Sequence, residues 1–69
     1  MADDHIITIY VNAAAFKKAH DNFDELERVA KRDCALGHSG NYINVYTRCE
    51  GVIQGVVEWL GEDNVEEIV

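Results

Sequence analysis

Sixty-nine residues make one small domain, residues 1–69, with no room for a substrate domain beside a cofactor domain. The chain is 48% apolar and 28% charged with clear periodicity, which argues against disorder. Its net charge of −7 and pI near 4.6 argue against nucleic acid or an anionic membrane as a direct partner, because phosphates are repelled and counterion release needs Lys and Arg on the protein.

The opening MADDHIITIYV puts acids where a secretory signal needs bases. No apolar run approaches the roughly 20 residues of a membrane helix, so a cytoplasmic protein is expected. Two cysteines, Cys34 and Cys49, are too few for a disulfide scaffold and read as thiols in a reducing compartment.

Taken in order, His5 to Val11 is β-branched and short and predicts a strand, with Ile7, Ile9 and Val11 on one face and Ile6, Thr8 and Tyr10 on the other. Asn12 is a suitable N-cap for the helix that follows. Phe16, Ala19, Phe23, Leu26, Ala30 and Cys34 then recur at helical spacing, which predicts helix to about Leu36. Asp21 and Asn22 interrupt it, and Asn22 with Glu25 resembles a capping-box restart. The segment fits one kinked helix or two helices equally well. Asp24 with Arg28 and Glu27 with Lys31 sit four apart, the spacing of a solvated, self-compensating helix face. Gly37 fits the position just past the helix, and Gly37 to Asn41 form the turn.

Tyr42 to Arg48 alternates, with Ile43 and Val45 on one face and Tyr42, Asn44 and Tyr46 on the other, the pattern of a half-buried strand. Glu50 to Leu60 predicts a helix that buries Val52, Ile53, Val56, Val57 and Leu60, with Trp59 at the margin. Gly51 and Gly55 suggest close approach of this helix to the sheet. Gly61 ends it, and Asn64 to Val69 reads as a third strand. The expected fold is therefore α/β (α+β): a two-layer β-α-(α)-β-α-β domain, a three-stranded sheet with helices on one face. The first two strands run parallel if the first helical segment is continuous, and antiparallel is open to them if it is a hairpin.

Candidate chemistry is sparse. Cys34, His38, Cys49 and His5 can be drawn as a zinc site, but the chain has neither a C-x₂-C nor an H-x₃-H pair. Cys34 continues an apolar stripe and reads as a core thiol. His38-Ser39 and His20-Asp21 lack the third group that orients a catalytic base. No enzymatic activity, no metal and no cofactor are expected. The Tyr42 and Tyr46 face resembles a base-stacking platform, yet only Arg48 stands near it in sequence, so a protein-binding face fits better.

The distinctive feature is the distribution of charge. Residues 17–48 hold five acids against six bases, whereas Cys49 to Val69 hold Glu50, Glu58, Glu62, Asp63, Glu66 and Glu67 and no Lys or Arg. Glu50, Gln54, Glu58 and Glu62 are four apart, so they are expected along one helix face. Acids late in a helix repel each other and oppose its dipole. A row of like charge imitates duplex DNA, which carries a charge per roughly 1.7 Å of axis.

In size, charge and α/β organisation the chain resembles small acidic phage-encoded anti-CRISPR proteins, particularly DNA-mimicking inhibitors of type I interference complexes. The resemblance covers the whole chain and is carried by no motif. It implies a stoichiometric inhibitor without cofactor, acting in the host bacterial cytoplasm on a basic DNA-binding surface. Glu50, Glu58, Glu62, Asp63, Glu66 and Glu67 would form the contact strip, with Asp3 and Asp4 as helpers. The balanced middle helix departs from that pattern and would make the strip narrow. The alternative is a protein-interaction module that uses the tyrosine face, with acidity serving only solubility. A monomer is the simplest state for either.

Overall fold

The β-branched run at the start of the chain forms β1, Ile6–Val11, in a computed structural model that describes residues 6–31, 33–47 and 49–69. The order continues with α1 (Ala13–Asp21), α2 (Phe23–Ala30), β2 (Cys34–Leu36), β3 (Tyr42–Tyr46), α3 (Glu50–Leu60), a 3₁₀ turn at Glu62–Asn64 and β4 (Val65–Ile68). The sheet order is β2-β3-β1-β4, and every neighbouring pair is antiparallel.

Alternation along the strands sorts the residues between two layers. Ile9, Val11, Ile43 and Val45 are fully buried in one core with Ala15, Ala19, Leu26, Ala30, Ile53, Val56 and Leu60 from the three helices. The small side chains of Ala15 and Ala19 belong to the buried side of α1, and large aliphatic groups fill the core from α2 and α3. The helices therefore lie on one face of the sheet, the two-layer arrangement that the sequence predicts.

The sheet has four strands rather than three. The helical stripe was expected to run through Cys34 to Leu36, but α2 stops at Ala30 because Lys31 adopts the left-handed conformation, φ 57°. The Lys31 N–H donates to the Glu27 carbonyl at 2.8 Å and closes the helix. Gly37 is thus not a helix terminator. It follows β2, and its N–H donates to the Tyr42 carbonyl at 2.9 Å, opening the β2–β3 hairpin.

The helical segment is two helices. Asn12 caps α1 as predicted, accepting from Ala15 N at 3.0 Å. Asn22 makes no side-chain cap on α2; its Nδ2 instead donates backward to the Lys18 carbonyl at 3.0 Å. α1 and α2 carry the chain from β1 to β2, and these two strands run in the same direction because each is antiparallel to β3 between them. The strand at Tyr42–Tyr46, second in the sequence reading, is reached through the added β2–β3 hairpin and so pairs antiparallel with β1.

Among the described residues the ion pairs are Lys17–Asp21 at 2.5 Å and His20–Asp21 at 3.3 Å. The expected Asp24–Arg28 and Glu27–Lys31 pairs are not formed. Lys31 has left the helical path, and a Glu27 carboxylate oxygen accepts from the Cys34 N–H at 3.2 Å, holding the start of β2. Gly51 and Gly55 do not mark close approach either. A Cβ at Gly55 would meet nothing within 4 Å, and one at Gly51 only the Cys49 sulfur at 3.8 Å.

Candidate functional site

The acidic residues are placed by three consecutive elements. Glu50 opens α3, where a carboxylate favours the N-terminal dipole. Glu58 lies eight residues on, about 12 Å along the axis, and both are exposed, as is Gln54 between them. The expected row of four ends there. Gly61, at φ 99°, turns the chain while its N–H donates to the Val57 carbonyl at 2.9 Å. Glu62 therefore belongs to the 3₁₀ turn with Asp63, off the α3 face, and the strip bends instead of running straight.

That turn is held firmly. Asn64 donates from Nδ2 to the Leu60 carbonyl at 3.1 Å, and its Oδ1 accepts from Asn12 Nδ2 at 2.8 Å. The Asn12 N–H also donates to the Asn64 carbonyl at 2.9 Å. One asparagine thus ties the end of α3 to the β1–α1 junction, with Glu62 and Asp63 displayed outward.

β4 then pairs with β1 in a register broken once. Tyr10 faces Glu67 and Val11 faces Val65, so Glu66 is an extra residue, a β-bulge. The bulge lets Val65 turn toward the core while Glu67 shares the opposite face with Tyr10. Both glutamates are exposed on a strand at the sheet edge. Glu58, Glu62, Asp63, Glu66 and Glu67 thus fall on three consecutive elements, the end of α3, the 3₁₀ turn and the edge strand β4, with Glu50 at the far end of α3. Asp3 and Asp4 lie outside the described residues.

None of the six acids takes part in an ion pair among the described residues. One cation does reach the end of α3. Lys18 Nζ on α1 donates to the Trp59 carbonyl at 2.5 Å and lies 4.5 Å from the centroid of the Trp59 ring. The dipole that Glu58 opposes is therefore compensated from another helix, by a contact 41 residues apart that no local sequence pattern marks. Asp21 is held below the usual carboxylate range by its bond to Lys17 and then by His20.

The second feature is the sheet face without helices. Antiparallel partners share a face, so Ile6 sits with Tyr46, Thr8 with Asn44, and Tyr10 with Tyr42. The Thr8 hydroxyl donates to Asn44 Oδ1 at 2.8 Å, and the Tyr10 and Tyr42 rings lie 5.8 Å apart. Val69 joins this face through two backbone bonds with Thr8, of 2.8 and 3.1 Å. Ile6 is 54% exposed, Tyr46 39% and Val69 70%. The parity of β1 and β3 marks Ile6 and the tyrosines in the sequence, whereas Val69 joins only through the β4 register.

The remaining candidates are dispersed. Cys34 is buried at the start of β2, and desolvation, then Glu27 and Asp33, push its thiol up to about 11. Cys49 is exposed before α3. His5, the fourth member of the sketched zinc set, lies outside the described residues. Among the described residues no three His, Cys, Asp or Glu side chains converge as a metal site. His20 and Asp21 do meet, on an open depression at the α1–α2 corner whose lining holds no Ser, Thr or Cys. No described helix is long and apolar enough to cross a membrane. No family model, no curated protein and no solved structure matches the chain.

Proposed function

We propose that the chain is a stoichiometric protein inhibitor that presents its acidic edge to a basic DNA-binding surface, the kind of surface that a type I CRISPR interference complex offers to target DNA. The observation that carries this reading is that Glu50, Glu58, Glu62, Asp63, Glu66 and Glu67 are all exposed and none is ion-paired among the described residues. Uncompensated carboxylates repel one another in the isolated protein, and a basic partner relieves that repulsion. Rigid placement of Glu62 and Asp63 by the Asn12–Asn64 bonds reduces the ordering cost of such a contact.

The test is a competition gel shift. A purified type I interference complex is offered target duplex with and without the protein, at about 50 and about 300 mM salt. Loss of the shifted band at low salt, restored by excess duplex or by salt, is expected. The variant carrying Lys at positions 58, 62, 63 and 66 should lose the effect with its circular dichroism unchanged. Retained inhibition by that variant removes the acidic edge from the mechanism.

The open sheet face supports a second reading, an interaction module in which acidity serves only solubility. It rests on the exposure of Ile6, Tyr46 and Val69 on a face that no helix covers. Substitution at Tyr42 and Tyr46 would abolish capture of its partner, and added salt would not.

A further inference from the structure

We infer that the outer edge of β4 takes a strand from its partner: an extended basic segment, Lys or Arg alternating with apolar residues, adds to the sheet beside Ile68. This contact rests on the acidic-edge reading above and specifies the chemistry that the edge holds.

The backbone sets the mode of contact. Thr8 and Val69 exchange two backbone hydrogen bonds, of 2.8 and 3.1 Å. An antiparallel ladder alternates such pairs with pairs that exchange none. Ile9 and Ile68, next in the register, are of the second kind, so the N–H and C=O of Ile68 point away from β1. β4 is the last strand of the sheet, it packs chiefly on β1, and Glu66, Glu67, Ile68 and Val69 are all exposed. Its outer side is an uncovered strand edge, a template for one more strand. The opposite edge of the sheet is not equivalent. There the Cys34 N–H already donates to the Glu27 carboxylate at 3.2 Å.

Side chains select the occupant. Glu67 pairs with Tyr10 on the open face, whereas Ile68 pairs with the buried Ile9 on the helix side and remains 47% exposed. Neighbours across a ladder share a face. A residue set beside Ile68 therefore meets an apolar side chain, and the residue flanking it meets the Glu67 carboxylate. Glu62, Asp63 and Glu66 precede this stretch, and none of the four acids is ion-paired among the described residues. Opposite charges across a ladder stabilise it and like charges destabilise it. A strand that carries acids, a second copy of β4 included, is thereby rejected. A strand with Lys or Arg beside Glu67 and a β-branched residue beside Ile68 matches both neighbours. The bulge at Glu66 breaks the regular edge, so the added ladder is short and centred on Ile68. Attraction to the acids before it supplies the rest of the affinity.

The experiment uses the full chain and two capped heptapeptides of equal charge, Lys-Val-Lys-Val-Lys-Val-Lys and the same peptide with proline in place of each valine. Proline removes backbone donors and bars the ladder while the lysines remain. Hydrogen exchange at the Ile68 amide is followed by NMR with either peptide at up to about 1 mM. Extrapolated to saturation, the valine peptide should slow that exchange at least about tenfold, and it should bind at least about tenfold more tightly than the proline peptide. Ile68→Pro removes the outward N–H and keeps every acid, so it should erase the difference between the peptides with circular dichroism retained. Glu67→Lys keeps the N–H and should weaken the valine peptide at least about threefold, which carries the test if the proline variant does not fold. Equal binding of the two peptides without protection at Ile68 overturns strand addition and leaves the acidic-edge reading standing. Protection at Leu36 in place of Ile68 overturns it as well, since the strand would then have chosen the other edge. Binding of neither peptide also overturns it, while the acidic-edge reading is decided separately by the charge-reversed variant in the competition gel shift.

Discussion

Two glycines show how local contacts decide what a residue is for. A Cβ at Gly37 would lie 2.5 Å from the Tyr42 ring, so the ring must leave the turn to admit it. Gly37→Ala is expected to cost about 1–3 kcal/mol, read as a lower urea midpoint. At Gly55 the same methyl meets nothing within 4 Å, and alanine should add about 0.5–1 kcal/mol by relieving the helix of a flexible residue. Cys34 carries a different signature. Its thiol ionises near 11 in the fold, against 9.0 as the ordinary value. The native state thus holds the proton longer than the unfolded chain does. The resulting stability is complete below about pH 9 and is lost as pH rises to about 11. Across that window the wild type should lose stability relative to Cys34→Ala, measured by urea unfolding at stepped pH.

Among the elements, β4 depends on a single inserted residue. Glu66 lets Val65 face the core while Glu67 faces outward, and side chains alternate with a strict period of two. Deleting Glu66 forces one of them to the wrong face. Loss of Val65 burial alone is worth about 1 kcal/mol. The deletion should abolish hydrogen-exchange protection at the Val69 amide, which bonds to the Thr8 carbonyl, and leave the Ala35 and Leu36 region protected. The same scale shows what the sequence reveals. β1, β3 and α3 are legible because their apolar periods run for several residues, and Asp21 and Asn22 mark an interruption in the sequence although Asn22 forms no side-chain cap on α2. β2 is not, since Ala30 and Cys34 keep helical spacing and no Gly or Pro separates them. Only the left-handed turn at Lys31 ends the helix, and lysine gives no sign of it. Cys34 is buried in either reading, so its environment is legible although its element is not.

For the molecule as a whole, a two-layer fold separates charge from apolar surface. The six C-terminal acids are legible as exposed from composition alone, but their geometry depends on Gly61, which carries Glu62 off the α3 axis. The open face is legible in part, through the parity of Ile6, Thr8 and Tyr10 and of Tyr42, Asn44 and Tyr46. Its completion by β4 depends on a pairing across nearly the full chain, and no local pattern specifies that. Salt therefore distinguishes the two surfaces: the acidic edge should release its partner as ionic strength rises, and capture through the sheet face should be little changed.

The pairing of the first strand with the last also sets a timetable. The β2–β3 hairpin closes over a short loop and can form early, whereas β1 waits for residues 65–69 before its second edge is covered. On the ribosome, β1 emerges first and is completed last. Until then its backbone donors and acceptors at Thr8 and Tyr10 stand open beside the exposed Ile6 side chain, a template that another nascent chain can add to.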